Sequence, residues 1–129
     1  VDGSIILNTI DNTTAKGKME CVNVLTNSGS LNDVKMGTIL EVVGVITQHA
    51  TRKGRNNNPD VPCINTYLLC KDGKSYFSQS DGIARNITTI MDVFGGVCAV
   101  DDKTPYLPLQ VTTQSLTNGN TLKGLKFIV

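Results

Sequence analysis

The segment Thr38 to Gln48 constrains this chain more than any other. It is rich in β-branched residues and apolar on both alternating sets. Ile39, Val43 and Val45 occupy one set; Leu40, Val42 and Ile46 occupy the other. A strand covered on both faces reads this way. Gly44 in its middle permits a sharp bend. A long, bent strand of this kind is suited to being shared by both sheets of a small barrel.

The rest of the chain is consistent with that start. Ala50 to Val61 (ATRKGRNNNPDV) is a loop, because Gly54, three Asn and Pro59 exclude a regular element. Pro62 to Cys70 predicts a second strand. Lys71-Asp72-Gly73-Lys74 then reads as a hairpin turn, and Ser75 to Gln79 as a third strand. Ile83, Ile87, Ile90, Met91 and Phe94 share one helical face, with Ser80 or Asp81 as cap and Gly95-Gly96 as stop. Leu107, Leu109 and Val111 alternate with polar residues or Pro108. Lys123, Leu125, Phe127 and Val129 alternate with Leu122, Gly124, Lys126 and Ile128. These predict two last strands around a turn at Thr117 to Asn120.

Strand, long loop, strand, hairpin, strand, helix, strand, turn, strand is the order of a five-stranded Greek-key barrel of the OB type. The expected fold is therefore all-β with one helix. Residues 38–129 form the barrel, and residues 1–37 form an N-terminal elaboration packed on it. Within that elaboration Ile5-Ile6-Leu7 suits a strand, while Ala15 to Leu25 fits either helix or strand. On the helical reading, Ala15, Met19 and Val22 share a face.

Bulk properties narrow the function. A chain of 129 residues makes one domain and buries enough surface to fold without staples. Cys21, Cys63, Cys70 and Cys98 form no C-x-x-C pair, and the single His49 has no close cysteine. Zinc ligation is thus not indicated, and the cysteines read as small apolar residues in a reducing cytoplasm. No cofactor is expected. No apolar run approaches the roughly 20 residues that span a bilayer. The N-terminus has no basic region followed by an apolar stretch, so neither membrane nor signal peptide is expected. His49 has no nucleophile at a recognisable spacing, and Asp101-Asp102 reads as a solvated turn, so no enzyme is expected.

The net charge of +1 decides little about partners; its distribution says more. Arg52, Lys53 and Arg55 fall within four residues of the expected loop, beside Asn56, Asn57 and Asn58. Cations on an extended loop follow a phosphate backbone and release counterions, and Asn side chains bond phosphates or base edges. Such a barrel takes oligonucleotides across its second and third strands, flanked by the loops between strands one and two and between strands four and five. Here those loops are Ala50–Val61 and Gln114–Asn120. Aromatic rings supply stacking. Tyr76 and Phe77, being adjacent in a strand, point to opposite faces. Tyr76 is expected outward, with Tyr67 as a candidate neighbour. Phe94 and Phe127 are expected in the core. Lys71 and Lys74 flank the hairpin turn and extend the positive track. Lys123 and Lys126 point to opposite faces, so at most one of them joins it. The candidate nucleic-acid contacts are Arg52, Lys53, Arg55, Asn57, Tyr67, Lys71, Lys74 and Tyr76.

The stretches Gly37-Thr38-Ile39-Leu40-Glu41 and Asn65 to Tyr76 resemble the small single-stranded DNA-binding proteins of tailed phages that replicate by protein priming in Gram-positive bacteria. The helix Ile83 to Phe94 and the hairpin around Asn118-Gly119-Asn120 are similar in layout. The likeness runs from about Gly37 to the end. It implies a phage protein of the host cytoplasm that coats displaced single strands during DNA replication without strong sequence preference. Single-stranded DNA would be its partner, with replication proteins and a second copy of the chain as further ones. Of the family's aromatic contacts, the resemblance carries over only Tyr76, after Asp72-Gly73. The first 36 residues have two roles open, covering the barrel or self-association. The competing function is a protein-interaction or virion structural module on a small β-barrel, which fold alone does not exclude.

Overall fold

The computed structural model describes residues 2–54, 56–115, 117 and 121–128. In chain order these form β1 (Ile5–Asn8), α1 (Ala15–Asn27), β2 (Gly29–Ser30), a 3-10 turn (Leu31–Asp33), β3 (Ile39–Arg52), β4 (Val61–Cys70), β5 (Ser75–Ser78), α2 (Asp81–Phe94), β6 (Leu107–Ser115) and β7 (Thr121–Lys126).

β3 organises the sheet. One edge pairs with β4 from Val42 to Arg52. The other pairs first with β6, through Ile39–Val42, and then with β1, around Ile46–Gln48. The strand therefore serves two neighbours on one edge, and its two-faced apolar pattern is used from Val45 and Ile46, which enter different buried clusters on its two faces. The full order is β2-β5-β4-β3-β6-β7, with β1 on β3. β2 adds to β5 in parallel and the other pairings are antiparallel. α2 packs on both β4 and β7, although β3 and β6 stand between those strands. One helix reaches both because the sheet curls around it.

Gly44 sits where the register with β4 shifts between Val42 and Gly44. The shift is a bulge, which bends the bulged strand. A Cβ at Gly44 would lie 2.8 Å from Ile10 Cγ1, so the missing side chain also admits the N-terminal segment. The main core lies between the sheet and α2, with Val42, Val45, Leu68, Ile83, Ile87 and Leu109 fully buried. Each such side chain contributes roughly 1.5–3 kcal/mol by leaving water. A second cluster, Ile10, Cys21, Val24, Ile46 and Tyr67, lies under α1.

The five strands and one helix expected over residues 38–129 are β3–β7 and α2. The two further strands and second helix among the described residues, β1, β2 and α1, fall in residues 1–37, where the sequence suits one strand and an either-way segment. The ambiguous segment is α1, capped by the Thr14 hydroxyl, which accepts from the Gly17 N–H at 3.0 Å. Its buried stripe is Gly17, Cys21 and Val24, whereas Ala15, Met19 and Val22 are exposed. The face is rotated because α1 needs a glycine there. A Cβ at Gly17 would fall 1.6 Å from the Asp11 carbonyl oxygen. β3 runs to Arg52 instead of stopping near Gln48. His49–Arg52 pair with Val61–Ile64, which shortens the loop to Lys53–Asp60. Pro62 is tolerated because β5 pairs only with Thr66–Leu69 and leaves that end of β4 as an edge.

α2 follows its expected bounds, with Gly95 left-handed at φ 66° as its stop. Val97–Val100 forms no regular element. In the expected C-terminal loop, Gln114 and Ser115 belong to β6, and Leu116 and Asn118–Asn120 lie outside the described residues. Cys21, Cys63 and Cys70 are buried, and all four thiols are free. No described helix is long and apolar enough to cross a membrane.

Candidate nucleic-acid interface

The β4–β5 hairpin builds one groove. Gly73 at φ 88° closes the turn, Asp72 Oδ1 accepts from the Lys74 N–H at 3.0 Å, and the Lys71 N–H donates to the Glu41 carbonyl at 2.8 Å. The hairpin is thereby held against β3. A cavity of about 260 Å³ opens here, lined by Lys71, Lys74 and Tyr76 with Ile39, Glu41 and Asp72. The Lys71 ammonium stands 5.2 Å from the centre of the Tyr106 ring, within cation–π range. Two carboxylates balance the two lysines, so the groove is electrically neutral. Cys70 also lines it. Burial, reinforced by the charges of Asp72 and Glu41, pushes its thiol up to about 11, so it stays protonated and is no nucleophile at neutral pH.

The other end of the β3–β4 ribbon carries Arg52 and Lys53. β4 has ten residues, so the two ends stand roughly 30 Å apart. Arg52 donates to the Gln79 carbonyl and pairs with Asp81 at 3.7 Å. It ties the end of β3 to the start of α2, with its side chain still 43% exposed. Lys53 is exposed. Asn57 is exposed too and sits at φ 66°, in the left-handed region that Asn tolerates. Arg55 lies outside the described residues. Depressions on either side of Arg52 share it and Gln79 as walls.

The aromatic residues are placed differently from the expectation. Tyr67 belongs to the cluster under α1 and keeps 7% exposure. Its ring stacks on Phe77 at 6.0 Å between centroids, and its hydroxyl donates to Gln48 Oε1 at 2.8 Å. Tyr67 is therefore no outward-facing neighbour of Tyr76. Tyr76 packs half-buried against the main core, and Phe77 takes the opposite face. The register pairs Tyr67 with Phe77 and Leu68 with Tyr76, so the two tyrosines lie on opposite faces: α1 covers the Tyr67 face, and Tyr76, expected outward, turns towards the main core at its rim. Phe94 and Phe127 meet at 5.5 Å and pack on the main core, as expected.

The structure thus brings Lys71, Lys74 and Tyr76 together at one end and Arg52, Lys53 and Asn57 near the other. Asp101 is the expected turn, with Oδ1 accepting from the Lys103 and Thr104 N–H groups at 2.9 and 2.8 Å. Two residues beside these grooves carried no signal in the sequence. Tyr106 meets Lys71 only through the fold. Arg85 reads as an ordinary polar-face helix residue until α2 is docked beside Arg52.

The family described as phage single-stranded DNA-binding protein, of the Phi29 type, matches residues 2–128. The chain belongs to that family. No curated protein and no solved structure matches it. The match takes in the N-terminal segment of this phage single-stranded DNA-binding protein as well as the Gly37-to-end stretch that carries the resemblance.

Proposed function

We propose that this chain coats single-stranded DNA displaced during phage replication in the host cytoplasm, with little sequence preference. The family match over nearly the whole chain carries the proposal. The grooves support it. Cations and amides near the 53–60 loop suit a phosphate backbone, and the half-buried Tyr76 at the rim of the hairpin groove, beside Lys71 and Lys74, suits base stacking. Arg52, Lys53, Arg55 and Asn57 form the phosphate-binding side in this reading. Tyr67 acts beneath it as a core residue. β3 to β7 are taken as the five strands of a partly open OB-type barrel, and residues 1–37 as its N-terminal addition, with replication proteins or a second copy of the chain as further partners.

The test is fluorescence anisotropy of labelled oligo-dT across a salt series, with duplex DNA of equal length alongside. Tight, salt-sensitive binding to the single strand is the expected outcome. Absence of binding at low salt overturns the proposal and favours a protein-interaction module on the same scaffold.

A further inference from the structure

The start of α2 lies against the β6–β7 hairpin, and the contact forms a pocket of about 430 Å³ lined by Arg85, Asn86, Thr112, Lys123 and Gly124. Among the described residues no carboxylate lines its wall. Its donors are arranged by the fold. Asn86 Oδ1 accepts from the Leu125 N–H at 3.0 Å, and its NH₂ end makes no hydrogen bond among the described residues. Lys123 Nζ donates to the Leu31 carbonyl at 3.0 Å and the Val34 carbonyl at 3.5 Å. An ammonium has three N–H groups, so one is left among the described residues. Arg85 is exposed and forms no ion pair among the described residues. Gly124 leaves room for this approach: a Cβ there would stand 3.1 Å from Asn86 Oδ1 and 3.2 Å from Thr112 Oγ1.

The pocket is not isolated. It shares Gly82 and Arg85 with the depression beside Arg52. That depression in turn shares Arg52 and Gln79 with the one at Lys53 and Asn58. Linked through these shared walls, the three depressions make up a trough that the Arg52 side chain crosses on its way to Gln79 and Asp81. Among the described residues, four cations line it (Lys53, Arg52, Arg85 and Lys123) against one carboxylate, Asp81, which Arg52 already partners. The hairpin groove, by contrast, sets Glu41 and Asp72 against Lys71 and Lys74.

We infer that the sugar–phosphate backbone of the bound single strand runs along this trough, with a phosphodiester group seated among Arg85, Asn86, Thr112 and Lys123. The inference rests on the single-strand reading and adds to it a path on the α2 side, away from the hairpin groove. Arg85 and the Asn86 amide donate to phosphate oxygens, and Lys123 supplies charge from a fixed position. Among the described residues no aromatic side chain lines the trough, so it holds backbone and leaves the bases free to point elsewhere.

Salt-dependent anisotropy with oligo-dT tests the path through three variants. Arg85→Gln removes one phosphate contact and is expected to reduce the salt slope by about 0.7. Lys103→Gln, on the Asp101 turn, leaves the slope unchanged. Asp81→Asn removes that carboxylate from the trough and releases Arg52, so affinity rises by roughly a few-fold, an outcome misfolding does not produce. If the wild-type chain binds while Arg85→Gln keeps its slope and Asp81→Asn gains nothing, the trough is overturned and single-strand binding stands. If the wild-type chain does not bind at all, both are overturned.

Discussion

Tyr67 keeps only 7% of its surface, under α1, whereas Tyr76 is half-buried on the rim of the hairpin groove. The two are strand residues of one type, yet the same substitution tests different things at each. Tyr67→Ala removes a stacked ring from a packed cluster and is expected to cost ~3–5 kcal/mol of stability, read by chemical denaturation. Tyr76→Ala is expected to weaken oligo-dT binding by ~1–3 kcal/mol per stacked base with a smaller change in stability. Unaltered affinity would remove Tyr76 from the contact set. Cys70 gives a pH effect at the same scale. Its thiol is raised from 9.0 to about 11 in the folded chain, so the folded state holds the proton more tightly. The stabilisation is complete below pH 9 and is lost as pH rises towards 11. Denaturation midpoints of wild type and Cys70→Ala are expected to converge over that window.

At the scale of elements, two glycines decide whether the N-terminal segment can dock. Gly17 brings α1 against the Asp11 carbonyl, where a Cβ would sit at 1.6 Å. The contact is with backbone, which has no rotamer to move. Gly17→Ala is expected to destabilise by ~1–3 kcal/mol or more, with near-ultraviolet dichroism reporting loosened packing around Tyr67. Gly44 meets a side chain instead, Ile10 Cγ1 at 2.8 Å. Gly44→Ala and Ile10→Ala are therefore expected to couple. The double variant loses less stability than the sum of the two single losses, because truncating Ile10 makes room for the new methyl group. Strict additivity in a double-mutant cycle would show that the contact is slack.

The whole molecule carries a net charge of only +1, so its electrostatics depend on where charges gather. Four trough cations, each neutralising one phosphate at about 0.7 per contact, give a slope near −3 for log K against log salt concentration. Neutralising Arg52, Lys53 and Arg55 together is expected to flatten that dependence. A triple variant with the wild-type slope would take the basic loop out of the binding path. The same scale explains why α1 matters for recognition. On an OB-type barrel the second and third strands offer the ligand face. On this chain the β4–β5 face with Tyr67 and Phe77 lies beneath α1, so under the proposed function the nucleic acid is expected at the grooves at either end of the ribbon.

By itself the sequence determined local matters. Period-two and period-3.6 patterning set β3, β4, β5 and α2, because apolar residues at those spacings can only be buried as strand and helix. Asp72-Gly73 set the hairpin, and the spacing of Arg52 and Lys53 set a basic tip. It also carried the family likeness along the barrel strands. Only the tertiary structure decided which faces remained open. The stripe of α1 depends on a glycine meeting a distant carbonyl, a contact that periodicity of large apolar residues cannot register. That Tyr67 is covered depends on where α1 lands, and that Tyr76 turns inward depends on which face of β5 meets the main core. Arg85, Asn86, Thr112 and Lys123 lie on three elements up to 38 positions apart, and their convergence exists only once the sheet has curled around α2. Burial and charge clustering are properties of the assembled surface, and strand alternation alone gives two faces without saying which one is covered.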